Sequence, residues 1–406
     1  VHDRAVSPLR ATFSALAANL VGIGLGRFAY TPLIPALIAA EWFEASVVFY
    51  LGAANLAGYL AGAVLARPMA ARWAPGTVLR LMMVLATLSA FASATPVSFW
   101  WFFAWRFVAG LTGGVLMVLA ASTVLPHVPA ARRGLAGGVI FTGVGLGIAA
   151  SGTLVPLMLE VGLMQTWIGL GALSALLTVS AWGGWPGESV PAGVQTPRTG
   201  ARPEPMVLGG LALIGIYIAY GLNAFGLVPH MLFLVDFVAR GLDAGVAAGG
   251  LYWVLFGIGA MCGPVVAGLV ADRIGFRLAL RVALLVQAGG IGLLAVSADS
   301  ISLAISSLVV GAFVPGVVPL VLGRVHELVP DDPYRQRGAW SVATVGFAIG
   351  QAFGGYGLSL LFDLTQSYAL LPAAGAAALL MAFAVEVTTS RGAQNAARPG
   401  TLTRQR

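Results

Sequence analysis

Two arginines, Arg27 and Arg106, stand deep inside long runs of apolar residues, with no aspartate or glutamate placed in those runs to neutralise them. A guanidinium in such a setting has a short list of uses. Its forked N–H donors recognise a carboxylate or similar anion, or they satisfy backbone carbonyls and hydroxyls of neighbouring helices. The sequence admits both uses for each arginine. Tyr30 and Thr31 follow Arg27 at i+3 and i+4, so all three share one helix face. Asn55 and Tyr59 form another i,i+4 pair, Tyr220, Asn223, Leu227 and His230 fall on one face of a later run, and Gln351 is the polar member of a further one. Arg27, Tyr30, Thr31, Asn55, Tyr59, Arg106, Asn223 and Gln351 are therefore the expected contacts of a bound anion, with ordinary interhelical hydrogen bonding as the alternative. Apart from arginine, His230 is the titratable group set well inside these runs. It is the candidate for a coupling proton; a neutral, hydrogen-bonded histidine is the other reading.

The elements that must position these residues are apolar and long. Of 406 residues, 59% are hydrophobic and 9% charged, against about 25% charged in a soluble domain. A single water-soluble core cannot hide that much apolar surface. A bilayer core of about 30 Å asks for about 20 apolar residues per helix, which predicts spans over 11–38, 45–68, 77–96, 98–126, 132–159 and 164–186. A second set covers 206–236, 245–271, 277–298, 300–329, 337–362 and 366–388. The expected fold is all-α and polytopic, twelve transmembrane helices in two pseudo-symmetric six-helix bundles. The expected organisation is a first half over 1–186, a polar linker over 187–205, a second half over 206–390 and a tail over 391–406. The halves echo each other weakly, as in Gly26-Arg27-Phe28-Ala29-Tyr30 against Gly221-Leu222-Asn223-Ala224-Phe225. Pro32, Pro35, Pro229, Pro264 and Pro315 are expected to bend or break their helices.

Charge placement orients the chain. The basic residues are all arginine and cluster in alternate turns: Arg67, Arg72 and Arg80; Arg132 and Arg133; Arg198 and Arg202; Arg273, Arg277 and Arg281; Arg324, Arg335 and Arg337. The intervening turns hold acids such as Glu41, Glu44, Glu160, Asp243 and Asp363, with Arg240 and Asp236. The positive-inside rule then puts both termini in the cytoplasm. Arginines in short turns do not make a nucleic-acid surface despite the net charge of +7. The single cysteine, Cys262, excludes a disulfide framework. The first span is too long for a signal-peptide core and is expected to stay in the protein. No nucleotide-binding loop, nucleophile–base pair or cluster of metal-ligating residues is legible, so neither enzyme chemistry nor a cofactor is expected.

Gly268-Leu269-Val270-Ala271-Asp272-Arg273-Ile274-Gly275-Phe276-Arg277 resembles the loop signature G-x-x-x-D-R-x-G-x-R of the major facilitator superfamily, in its second-half copy. Physically, Gly268 permits close helix approach, Asp272 accepts from nearby arginines or caps a helix, and Gly275 permits the turn. The first-half copy, around Ala66 to Arg80, lacks the aspartate. Arg106-Phe107-Val108-Ala109-Gly110-Leu111-Thr112-Gly113-Gly114 is similar to the family's R-x-x-x-G-x-x-x-G helix. Gly24-Leu25-Gly26-Arg27-Phe28-Ala29-Tyr30-Thr31-Pro32 resembles the YbfB/YjiJ-type branch. The resemblance implies secondary transport by alternating access in a bacterial inner membrane, one chain working as a monomer. It assigns Gly268, Asp272, Arg273, Gly275 and Arg277 to a gating loop. The expected cargo is a small organic anion, with proton coupling. Efflux of amphipathic drug-like or metabolite molecules is the alternative, favoured by Tyr30, Phe225, Tyr252 and Trp340; a non-transporting membrane sensor is the remote one.

Overall fold

The computed structural model describes residues 6–129, 132–186, 210–330 and 332–397. The predicted linker 187–205 lies outside them, as do Arg4, Arg198, Arg202, Arg398, Arg404 and Arg406. Among the described residues twelve helices are long and apolar enough to cross a membrane. In the first half these are α1 (Pro8–Ala39), α2 (Ala45–Arg72), α3 (Pro75–Ala92), α4 (Phe99–His127), α5 (Leu135–Leu159) and α6 (Leu163–Ala181). The second half has α7 (Leu211–Gly241), α8 (Gly245–Ile274), α9 (Phe276–Val296), α10 (Ser300–Leu328), α11 (Gly338–Thr365) and α12 (Leu370–Ser390). Short turns alternate between the side that carries the first residues of α1, here the terminal side, and the far side.

The same helix pairing recurs in both halves. In the first, α2 and α4 touch so closely that a Cβ on Gly110 would stand 1.9 Å from the Asn55 carbonyl oxygen. In the second, α8 and α10 do the same, with a Cβ on Gly263 1.7 Å from the Ala312 carbonyl oxygen. Small residues let the backbones meet, and in lipid that packing replaces the hydrophobic effect as the force between helices. Local signals set the ends. The Ser98 hydroxyl caps α4 by accepting from the Trp101 N–H at 3.1 Å. Asp299 caps α10 by accepting from the N–H groups of Ile301 and Ser302 at 2.9 and 3.0 Å. Hydrogen bonds from Ser297 and Ser302 also hold the Asp299 carboxyl well below the usual carboxylate range.

Two helices are not regular, and they are the ones that face each other across the halves. The first stretch of α1 is α-helical over Pro8–Asn19 and widens to a π-helix over Leu20–Leu25. It then turns at Gly26 and Arg27, tightens to 3-10 over Phe28–Leu33 and resumes over Ile34–Ala39. Pro32 and Pro35 have no N–H to continue the ladder. In α7, Pro229 opens a π-helical turn over Pro229–Phe233, and a second such turn runs over Phe237–Gly241. The expectation of breaks at Pro32, Pro35 and Pro229 agrees with this. Pro264 and Pro315 instead lie inside continuous helices.

The halves meet on the far side of the bilayer midplane. Phe49 of α2 packs against Phe233 of α7 and Phe362 of α11, with centroids 4.3 and 4.9 Å away. Tyr50 stacks on Tyr356 at 6.4 Å. Along α5 and α8, Gly152 meets the carbonyl of Gly250, and Gly257 meets the backbone of Ala149. One helical repeat further toward the terminal side, nothing lies within 4 Å of a Cβ on Gly138 or Gly268. Gly268 was expected to permit close approach; among the described residues no helix approaches it here. Asp272 does not cap α9 either. It sits in the last turn of α8, and Gly275, with φ of +79°, makes the turn.

Overpacking costs about 1–3 kcal/mol and more where backbone stands opposite. Gly110→Val is therefore expected to lower the thermal unfolding midpoint of the detergent-solubilised protein, while Gly138→Ala leaves it unchanged or raises it. Equal midpoints for the two variants would overturn the packing argument.

Candidate functional site

The break in α1 organises the site. The Tyr30 N–H reaches back to the Arg27 carbonyl at 3.4 Å, not to that of Gly26. The Gly26 carbonyl is taken instead by side chains. Arg106 Nη1 donates to it at 3.2 Å and Asn55 Nδ2 at 3.4 Å. Asn55 Nδ2 also reaches the Arg106 carbonyl at 3.2 Å. The Arg106 guanidinium lies 4.1 Å above the Tyr30 ring, and the Tyr30 hydroxyl donates to the Val48 carbonyl at 2.8 Å. Arg106, Tyr30 and Asn55 thus face inward within the first half. Of the two uses open to Arg106 from sequence, the structure shows carbonyl satisfaction through Nη1, with Nε left unpartnered. The reason is the freed Gly26 carbonyl, which turns the Arg106 donors toward α1.

Arg27 points the other way. Its Nη2 donates to Gln351 Oε1 of α11 at 2.9 Å, across the halves. The guanidinium is flanked by the rings of Tyr59 and Phe28, 4.9 and 5.2 Å from their centroids. Gln351 Nε2 has the Met231 thioether at 3.7 Å, a weak acceptor. The Thr31 hydroxyl donates to the Met231 carbonyl at 2.6 Å, so the two broken helices bond each other at their breaks. Arg27, Tyr59, Thr31 and Gln351 are therefore gathered at one point between the halves. Arg27 Nε, Arg106 Nε and Asn55 Oδ1 are buried and have no hydrogen-bond partner. Neither arginine makes an ion pair with a carboxylate among the described residues.

The second-half candidates do not join them. Asn223 Nδ2 donates to Gln287 Oε1 of α9 at 2.7 Å, inside the second half. His230 Nε2 is 2.7 Å from Ser306 Oγ of α10, whose hydroxyl donates to the Gly290 carbonyl at 2.5 Å. With that proton committed, the serine oxygen accepts, so Nε2 carries the histidine hydrogen and Nδ1 is bare and unpartnered. His230 borders a cavity of about 20 Å³ shared with Phe233, Tyr368 and Leu294, room for a single water. In the gating loop, Asp272 and Arg273 are exposed and make no ion pair among the described residues.

Three polar groups escaped the sequence reading. Glu386 of α12 is fully buried, bonded to Arg281 Nε of α9 and to Ser390 at 2.7 Å, with Arg324 Nε 3.9 Å away. Spacing gave no cue to its charged partners, because Arg281 and Arg324 come from two other helices; Ser390 alone shares its helix, at i+4. Asp236 is buried with Arg240 Nε at 2.6 Å and the Tyr368 hydroxyl at 2.5 Å. Their i,i+4 spacing was legible, yet both had been placed in a far-side turn. Gln287, the partner of Asn223, lies 64 residues away in sequence and offers no local signal.

These features define a class before they define a family: a twelve-helix membrane protein of two like halves, with buried polar side chains where broken helices meet. Solved structures of that class superpose closely. A D-xylose–proton symporter matches with a TM-score of 0.71 at 17% identity, covering 92% of this chain and 96% of its own. A nucleoside transporter matches at 0.72 and 14% identity, covering 96% and 100%. At such identities the likeness is one of fold. The family described as "Uncharacterised MFS-type transporter YbfB" matches residues 19–387, and the chain belongs to that family of the major facilitator superfamily. A chloramphenicol resistance protein of Streptomyces lividans is 29% identical over 270 residues, 64% of this chain. The match spans 66% of that relative, slightly under two thirds of its length.

Because Arg106 holds the break in α1 together, Arg106→Ala leaves the Gly26 carbonyl short of a donor. The expected loss is about 1–3 kcal/mol of stability. Arg27→Ala, which removes an unpaired charge, is expected to cost less. Thermal unfolding of the two variants in the same detergent checks the order.

Proposed function

We propose that this secondary transporter carries a small organic anion with an apolar or aromatic body, and that Arg27 is its anchor. Alternating access across the bacterial inner membrane moves it, with both termini cytoplasmic and a monomer as the working unit. The observation that carries this reading is charge without countercharge: two guanidinium groups buried inside the bundle, held only by neutral acceptors and aromatic faces. A charge at the bilayer centre costs on the order of 2.5–3.5 kcal/mol even on insertion scales. Cation–π contacts return about 2 kcal/mol when desolvated. A carboxylate arriving from solution supplies what the site lacks, and Arg27, with its Nε unpartnered, has a donor to give it.

Under the arginine-based orientation, the far-side closure corresponds to a state facing the cytoplasm. Import and export use the same state, so the reading does not depend on direction. A coupling proton has a receptor in His230, whose bare Nδ1 takes a proton without breaking the bond from Nε2 to Ser306. Asp272 and its arginines would then pair when the terminal side closes.

A second reading is favoured by the chloramphenicol resistance relative and by the rings around the site. Phe28, Tyr30 and Tyr59 touch the arginines, and Tyr220 packs on Trp340 and Phe347 nearby in the second half. In that reading an uncharged aromatic amphipath is expelled, and the arginines are structural. Ligand-induced stabilisation separates the two, because it grows with concentration over dissociation constant. Benzoate is expected to raise the unfolding midpoint of the wild-type protein. In Arg27→Ala that stabilisation is lost and uptake into proteoliposomes falls by at least about tenfold, the equivalent of one charge-assisted hydrogen bond. Chloramphenicol stabilising both proteins alike, with no response to benzoate, would select the second reading. Binding without flux in liposomes would mark a sensor. For the proton, His230→Gln is expected to remove the dependence of uptake on an imposed pH gradient.

A further inference from the structure

Gln351 occupies the place where the proposed anion has to bind. Among the described residues it is the one acceptor that Arg27 Nη2 has, it belongs to the opposite half, and its own amide hydrogens find only a thioether. Nη2 carries one hydrogen on each forked edge of the guanidinium, so an anion that binds bidentately on the edge facing Gln351 competes for the hydrogen that Gln351 already holds. The amide oxygen is neutral and single-pointed; a carboxylate is charged and forked. Two acceptors that meet on one hydrogen compete for it, and the amide is the weaker of them.

The bond between Arg27 and Gln351 is also a tether. It joins α1 to α11 between residues 324 positions apart in the chain. Few polar side-chain contacts accompany it across the halves: Thr31 to the Met231 carbonyl at 2.6 Å, and Trp253 Nε1 to Ser151 Oγ at 3.1 Å. The remaining contacts there are apolar and aromatic, such as Phe49 on Phe233 and Phe362. Neither polar neighbour touches Arg27, so neither replaces the tether once it is cut.

We propose that Gln351 is the element that couples occupancy to movement: it stands in for the anion on Arg27 in the empty protein, and its displacement by the cargo carboxylate releases α1 from α11. Gln351 is thus a positioning residue whose role is to make closure on the far side depend on an empty site. The proposal rests on the reading of Arg27 as an anion anchor.

The test uses the full chain in lipid nanodiscs with exposed Cys262 replaced by serine. Spin labels at cysteines replacing Glu44 and Thr365, exposed beside the far-side ends of α2 and α11, report the separation of the halves. In the unsubstituted site the distance distribution is expected to be short and narrow, and to lengthen with benzoate. Gln351→Ala is expected to be long without any ligand and to bind benzoate several-fold more tightly; Gln351→Met, closer in volume, serves if the alanine variant does not fold. Gln351→Glu places a fixed carboxylate on Arg27. It is expected to stay short, ignore benzoate and bind it at least about tenfold more weakly. Unchanged distances in ligand-free Gln351→Ala and Gln351→Met would overturn the proposal, as would wild-type benzoate affinity in Gln351→Glu. The reading beneath it fails separately, if Arg27→Ala binds benzoate as wild type does. Arg27-dependent binding together with silent Gln351 distances removes the switch and leaves the anion site standing.

Discussion

The carbonyl of Gly26 is the point on which the centre of this molecule turns. A helix that crosses a membrane must satisfy its backbone internally, and a break is tolerated only where neighbours repair it. Here the repair is made by Arg106 and Asn55, from α4 and α2, converging on a single oxygen. That convergence fixes three helices of the first half at one level. It also fixes the direction in which the next residue points. Arg27 follows Gly26 in the turn, with φ of −109° and ψ of −59°, and its side chain leaves the first half altogether to reach α11. One arginine is spent on holding the break, and the other is thereby presented to the gap.

The matching break in α7 gives the arrangement its second side. Pro229 cannot donate to the preceding turn, and the chain widens into a π-helical stretch that carries the Met231 carbonyl toward Thr31. Each half therefore offers an irregular helix to the other, and the two are bonded where both are irregular. The consequence is local: the Thr31 contact with the Met231 carbonyl is made by segments with fewer regular backbone bonds than the helices around them, while α5 on α8 and α2 on α11 join the halves through regular helices. Within each half, α2 against α4 and α8 against α10 pack backbone on backbone through glycine.

What could be read from the sequence follows from the same division. Apolar length and arginine placement gave the twelve helices to within a few residues at most ends, because hydrophobic thickness is a coarse and strongly enforced constraint. The loop glycine Gly275 and the breaks at Pro32 and Pro229 were legible because those residues have backbone consequences of their own. Side-chain direction was not. A face drawn at 3.6 residues per turn put Arg27, Tyr30 and Thr31 together, yet the turn at Gly26 and the 3-10 stretch after it send Tyr30 to the Val48 carbonyl and Arg27 to Gln351. Likewise Asn223 and His230 share a helical face in sequence, and in the structure they bond α9 and α10, so the face looks into the second half. Their partners Gln287 and Ser306 lie 64 and 76 residues further along, a separation that no local spacing encodes.

The unequal closure of the two sides bears on how the gating loop and the midplane are connected. The line Gly250, Val254, Gly257 and Met261 along α8 is pressed against α5, and its continuation at Gly268 faces open space. Four residues beyond, Asp272 is exposed with no ion pair among the described residues. Asp272 thus lies on the stretch of α8 that continues past its contact with α5. On the far side, by contrast, Phe49 and Tyr50 bring α2 against α7 and α11. In the proposed cycle the midplane bond from Arg27 to Gln351 sits near the fulcrum. There a small change in separation demands little work, yet it decides which end can close. A single charge-assisted hydrogen bond, net about 1.5–3 kcal/mol, is enough to shift a two-state balance by about one to two orders of magnitude. That is why an interaction so small, placed at the fulcrum and contested by the cargo, can govern a movement involving the whole bundle.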